Sequence, residues 1–118
     1  MRKILSALCA VMFLSVSAFG ATMGELNALA SAKLYLSTMA FSYSGLVKQL
    51  EDFEGYSHAE AEYAVKNCGA DWNEQAAKKA KEYLDVMPFS RRGLMDQLVQ
   101  FEGFTKKQAE YGVKQNGY

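Results

Sequence analysis

Little in this sequence is equipped for covalent chemistry. Histidine occurs once in 118 residues, as His58, and cysteine twice, as Cys9 and Cys68. Metal sites draw several His, Cys or carboxylate ligands together, so one histidine and two distant thiols form no metal-binding pattern. Cys9 falls in a leader segment whose cleavage leaves Cys68 alone, so no intrachain disulfide is then possible and packing has to supply the stability. A single proline, with 50% apolar residues, excludes collagen-like and disordered chains. The 13 basic and 13 acidic side chains cancel, which excludes a general electrostatic pull on nucleic acid or anionic lipid. No phosphate-cradling glycine loop or nucleophile–base motif is present. No catalytic residue, cofactor site or metal site is therefore assigned.

What the chain does have begins at its first residues. MRKILSALCAVMFLSVSAFGA opens with Arg2 and Lys3, continues through an apolar run from Ile4 to about Val16, and ends in the small residues Ser17, Ala18, Gly20 and Ala21. That order marks residues 1–21 as a secretory signal peptide, with cleavage after Ala18, Gly20 or Ala21. The run is shorter than the ~20 residues of a comfortable bilayer span, so an uncleaved signal holding the chain to the membrane is the second reading. Leu8 stands where a lipid-attachment cysteine wants a small residue, and Cys9 precedes the end of the apolar run, so Cys9 is read as part of that run. Removal of the signal leaves 11 basic residues against 13 acidic ones and Cys68 as the sole thiol.

The rest of the chain is said twice. Residues 28–70 align with residues 76–118 at an offset of 48, without a gap, and 21 of the 43 positions are identical. The phrase FEGYSHAEAEYAVKNCG returns as FEGFTKKQAEYGVKQNG. The expected organisation is a signal followed by repeat 1 over 22–70 and repeat 2 over 71–118. Some 43 residues are barely enough for a free-standing core, so the two copies are expected to lean on one another through a short connection with Trp72 at the joint.

Each copy reads as three short helices, an all-α fold. Ala28, Ala32, Tyr35, Leu36 and Met39 recur at helical spacing, as do Ala76, Ala80, Tyr83, Leu84 and Met87, which places each set on one core-facing stripe. Ser42 and Ser90 cap a second helix, where Phe41 with Leu46, and Phe89 with Leu94, are spaced to clasp across its start. Leu46, Gln49, Leu50 and Phe53 run down one face to Gly55, which ends the helix in the left-handed conformation. Ser57 with Glu60 and Thr105 with Gln108 spell capping boxes for a third helix, and Asp71 or Asn73 caps the helix that opens repeat 2. Glu62 with Lys66 and Glu110 with Lys114 are expected to pair across one turn.

The phrases AKLYLSTMAFSYSGLVKQLEDFEGYSHAEAEYAVKNCG and AKEYLDVMPFSRRGLMDQLVQFEGFTKKQAEYGVKQNG resemble the repeat of the Ltp-like, host cell surface-exposed lipoprotein family. The likeness lies in the Tyr-Leu start, the Met-x-Phe-Ser step, the Gly-Leu-x-x-Gln-Leu helix and the Ala-Glu-Tyr-x-Val close, in both copies. It implies small three-helix units resembling a helix-turn-helix, displayed outside the cytoplasmic membrane. It also implies a non-enzymatic module that binds a protein at the cell envelope, phage injection machinery among the candidates, with superinfection exclusion by blocked DNA injection. The residues at Cys9 depart from the family's lipid-attachment box.

The candidate partner-binding residues are Arg91, Arg92, Lys106 and Lys107, which give repeat 2 a basic edge, together with Tyr63 and Tyr111. Repeat 1 has Tyr43, Ser44, His58 and Ala59 at the basic positions. That asymmetry and the export signal weigh against the alternative of a helix-turn-helix nucleic-acid binder. A structural or wall-associated envelope protein without antiphage role is the other alternative. Glu54 and Glu102 suggest the paired carboxylates of a small hydrolase, but shared ancestry and local hydrogen bonding explain them more simply.

Overall fold

A computed structural model describes residues 20–118, and the expected signal peptide, residues 1–21, lies almost wholly outside them. The described residues are helical throughout, with no strand among them. Repeat 1 holds α1 (Met23–Thr38), α2 (Tyr43–Asp52) and α3 (His58–Asn67). Repeat 2 holds α4 (Trp72–Val86), α5 (Arg91–Asp96), which runs on into a π-helical turn at Gln97–Phe101, and α6 (Lys106–Gln115). In each repeat the first helix packs on the third, and the second closes the unit.

The helix starts are where local chemistry places them. Ser42 Oγ accepts from the Gly45 amide and Ser90 Oγ from Gly93, each at 2.9 Å. Ser57–Glu60 and Thr105–Gln108 form reciprocal capping boxes, and Thr22–Glu25 forms a third at the start of α1. The Thr22-x-x-Glu25 box is a sequence signal of the same kind as the other two. Asp71 caps α4 by accepting from Asn73 and Glu74. Gly55, Gly69, Gly103 and Gly117 all have positive φ, and these reversals end the second and third helices of each unit.

There are two cores. Ala28, Ala32, Leu46, Val47, Leu50, Ala61, Ala64 and Val65 form the first; Ala76, Ala80, Leu94, Leu98, Phe104, Ala109 and Val113 form the second. The alanine stripes let the first and third helices approach closely. A Cβ on Gly112 would lie 2.8 Å from the Ala76 carbonyl group, so α4 and α6 cross where only glycine fits, whereas repeat 1 has Ala64 at that position.

Several expectations need correction. Phe53 and Phe101 lie on the turn of the second helix that no other helix covers, and they are 76% and 73% exposed. The aromatic that fills the core comes after the glycine reversal: Phe104 is buried, and Tyr56 packs on the first core. Met39 and Met87 end their helices in extended backbone, which turns them to solvent. Glu62 does not pair with Lys66; its carboxylate accepts from the Tyr43 hydroxyl at 2.8 Å and lies 3.8 Å from His58 Nε2. Glu110 and Lys114 are likewise no ion pair.

Candidate functional site

A helix-ending glutamate and a first-helix tyrosine meet in both repeats. The Tyr35 hydroxyl donates to Glu54 and the Tyr83 hydroxyl to Glu102. The pairing follows from the fold, because the reversal at Gly55 or Gly103 carries the preceding glutamate over the last turns of the first helix. Tyr35 and Tyr83 also meet Phe41 and Phe89 edge-on, with ring centroids 5.7 and 5.6 Å apart. The two glutamates thus hold tyrosines rather than act as a carboxylate pair. Burial, then the Glu102 hydrogen bond and charge, push the Tyr83 phenol well above its ordinary range.

Each tyrosine–glutamate pair lies in a cleft, and the two clefts are one site repeated. Ser31, Leu34, Tyr35, Thr38, Met39 and Glu54 line a cleft of about 280 Å³ in repeat 1. Lys79, Glu82, Tyr83, Val86, Met87 and Glu102 line its counterpart in repeat 2, of about 490 Å³, where Phe89 and Gln97 join them. Every residue of the first set stands 48 positions before one of the second. The rims are apolar and open: Leu34, Met39, Val86 and Met87 are all exposed. The polar floors differ, since Lys79 bridges Glu82 at 3.0 Å and Glu102 at 3.9 Å in repeat 2, where Ser31 and Leu34 stand in repeat 1. A floor of satisfied polar groups under an apolar rim can seat a protein side chain; it holds no activated nucleophile. Neither cleft is legible from spacing alone, although the repeated Tyr35/Tyr83 and Glu54/Glu102 were visible as identities.

The sequence-predicted partner-binding residues fall elsewhere. Arg91 and Arg92 open α5, Lys106 and Lys107 open α6, and all four are exposed and outside every ion pair of the described residues. Tyr63 and Tyr111 are half-buried on the third helices, and Tyr111 is occupied: its hydroxyl donates to Glu74 at 2.7 Å, joining α6 to α4. Glu74 corresponds to Leu26, so Tyr63 has no such carboxylate. His58, at the start of α3, meets Glu51, whose hydrogen bond and charge raise its pKa. Among the described residues no three His, Cys, Asp or Glu side chains gather in a way that could hold a metal.

The repeats meet at a narrow joint. Trp72 packs against the first core and stands edge-on to Tyr43, with centroids 5.5 Å apart. Ser42 Oγ donates to the Glu102 carbonyl, Ser44 Oγ to the Gly103 carbonyl at 3.2 Å, and the Phe41 amide donates to Gln75 Oε1 at 2.9 Å. The π-helical turn, in which the Glu102 amide reaches back to Gln97, widens the helix end that presents those carbonyls. Burial, with the Glu62 hydrogen bond adding to it, pushes Tyr43 up to about 12. A phenol whose folded pKa is raised contributes stability that is complete below its unfolded pKa and lost as pH climbs through the folded one. Stability is thus expected to fall as pH rises from about 10 towards about 12, and Tyr43→Phe to reduce that slope. Urea midpoints across that window measure it; equal slopes in the two proteins would show that the Tyr43–Glu62 bond contributes nothing there.

The comparisons agree with this architecture. A comparison with curated protein sequences finds no match. The solved structure of Ltp, a superinfection exclusion protein from the Streptococcus thermophilus temperate phage TP-J34, is similar to the chain at 40% sequence identity and a TM-score of 0.76. The similarity covers 80% of this chain and 96% of that one. The repeat of the host cell surface-exposed lipoproteins matches residues 25–68 and again residues 71–115. With both halves accounted for, the chain belongs to the host cell surface-exposed lipoprotein family, and its place is the cell surface or the secreted fraction.

Proposed function

We propose that this protein is a superinfection-exclusion factor that grips a protein of the phage injection machinery at the cell envelope, so that an adsorbed phage fails to deliver its DNA. The grip is non-enzymatic. The observation that carries the reading is the duplicated cleft, with the same positions lining it twice and apolar side chains left open at both rims. Exposed apolar groups gathered at a concave surface are the usual anchors of protein recognition. Two linked copies add avidity, because engagement of one cleft makes engagement of the second intramolecular. Lys106 and Lys107 favour approach of an acidic partner segment. The 40% identical Ltp supports the biological setting.

The test is infection of cells that express the chain. Adsorption is expected to stay normal while DNA entry and plaque number fall. Met39→Asp or Met87→Asp puts a charge on one rim and weakens protection, and the double variant abolishes it, by at least about tenfold in plaque number for a lost anchor of ~1.4 kcal/mol. Both positions are exposed, so immunoblotting should find unchanged protein levels. Normal plaque formation on wild-type-expressing cells across a phage panel would remove the proposal.

A further inference from the structure

The joint inside the chain is one-directional. Repeat 1 supplies the donor face, through Phe41, Ser42 and Ser44 of the α2 start, and repeat 2 supplies the acceptor face, through the carbonyls of Glu102 and Gly103. A two-fold joint would use both faces of both repeats. Here each repeat keeps one face out of the joint: Phe89, Ser90, Arg91 and Arg92 in repeat 2, and Glu54 and Gly55 in repeat 1, with Phe53 at the edge where it shares a groove with Phe101 and Glu102. The surroundings of Gly55 record this, since a Cβ there would meet nothing within 4 Å, while one on Gly103 would collide with Ser44 Oγ. A heterologous contact of this kind has no internal reason to stop at two units.

The unused faces keep the joint's phenylalanine, capping serine and side-chain amide; Gly24 stands at the position of Trp72 and arginines at those of Tyr43 and Ser44, so the ring pair and the Ser44 bond give way to charge. Phe89 and Ser90 repeat Phe41 and Ser42, and Asn27 stands where Gln75 receives the Phe41 amide. Asn27 is exposed, and its Nδ2 donates to the Met23 carbonyl, which leaves its Oδ1 to accept. Tyr118 takes the Phe89 carbonyl and not its amide. The substitutions between copies are electrostatic. Tyr43 and Ser44 of the internal donor face become Arg91 and Arg92, and Val99 and Gln100 beside the internal acceptor face are Glu51 and Asp52 in repeat 1, next to Glu54. The inner joint, held together by the linker, is built from neutral groups on its donor side; the outer faces, which have no linker, are basic at one end of the chain and acidic at the other. Lys48 offsets Asp52 at 3.5 Å, His58 meets Glu51, and Asp96 lies one turn beyond Arg92, so the attraction is partial and the contact weak.

We infer that copies of this chain associate head to tail, the Ser90–Arg92 face of one docking on the Glu54–Gly55 face of the next in the manner of the internal joint. The inference does not rest on the phage reading, although Glu54 and Phe89 belong both to these faces and to the clefts. Sedimentation velocity of the purified exported protein at low ionic strength tests it. The weight-average mass should rise with concentration beyond about twice the monomer, as an open contact allows. It should return towards monomer in 1 M salt, where screening acts within ~3 Å. R91E/R92E and E51K/D52K, the second of which leaves the Tyr35–Glu54 pair intact, should each be monomeric with unchanged helical circular dichroism. Their equimolar mixture should associate again, because an acidic donor face then meets a basic acceptor face. A wild-type protein that stays monomeric at every concentration overturns the inference. So does undiminished association of R91E/R92E, or a mixture that remains monomeric.

Discussion

Leu98→Ala is expected to lower the unfolding free energy by about 3 kcal/mol, and Leu50→Ala by a similar amount, in the usual range for a fully buried leucine. Both side chains are wholly buried, and each sits in a different core. Each is also placed by its backbone: the Leu98 carbonyl accepts from Phe104 at 3.0 Å and the Leu50 carbonyl from Tyr56 at 3.1 Å, bonds that pull the post-glycine aromatic onto the leucine. Truncation leaves a void with that ring as its wall, and helices held by capped ends and alanine contacts have little freedom to collapse into it. Cores this small leave little reserve, since total stability for such a domain is on the order of 5 kcal/mol. Urea denaturation followed by circular dichroism measures the loss. Leu34→Ala is the control, because Leu34 is 70% exposed and its loss should change stability by less than about 0.5 kcal/mol. If Leu98→Ala costs no more than that control, the second core is not organised around Leu98.

Much of this fold could be read from the chain because it is set by neighbours in sequence. A serine or threonine three residues before a glutamate or glutamine needs only its own helix to form a capping box, and Ser57 and Thr105 do so. Gly55 and Gly103 reverse the chain for the same local reason, and the alanine stripes are legible from helical spacing within each helix. Trp72 was legible as the joint because a short connection leaves a large ring nowhere else to go. What failed depended on partners distant in sequence. The helical face containing Leu46 and Leu50 extends geometrically to Phe53, but no helix lies opposite that last turn, and the core ends one residue group earlier than periodicity suggests. Spacing assigns Glu62 to Lys66, yet the Tyr43 hydroxyl, brought in from α2, competes for it successfully. The clefts escaped for a related reason: Tyr35 and Glu54 are 19 residues apart and meet only after the glycine reversal. The direction of the inter-repeat joint leaves no trace in either repeat taken singly, and only the exchange of Tyr43 and Ser44 for Arg91 and Arg92 hints that the two faces have different duties.

Gly103→Ala should cost about 3 kcal/mol, and the equivalent Gly55→Ala clearly less. Both glycines have positive φ, 84° and 80°, so alanine at either pays ~1–2 kcal/mol for the left-handed conformation. Only Gly103 lies under the other repeat. Its new methyl would collide with Ser44 Oγ and crowd Ser42 Oγ at 3.2 Å, displacing the two hydroxyls that bond the Glu102 and Gly103 carbonyls. Each such bond contributes ~0.5–1.5 kcal/mol, and their loss accounts for the difference between the two variants. The excess is therefore a measure of how far one repeat stabilises the other. Paired urea titrations of the two variants give the number, and Trp72 fluorescence, which reports the contact with Tyr43, should shift in Gly103→Ala and stay unchanged in Gly55→Ala. Equal costs for the two substitutions would mean that the repeats merely touch, and that the duplication serves binding by avidity without contributing to the fold.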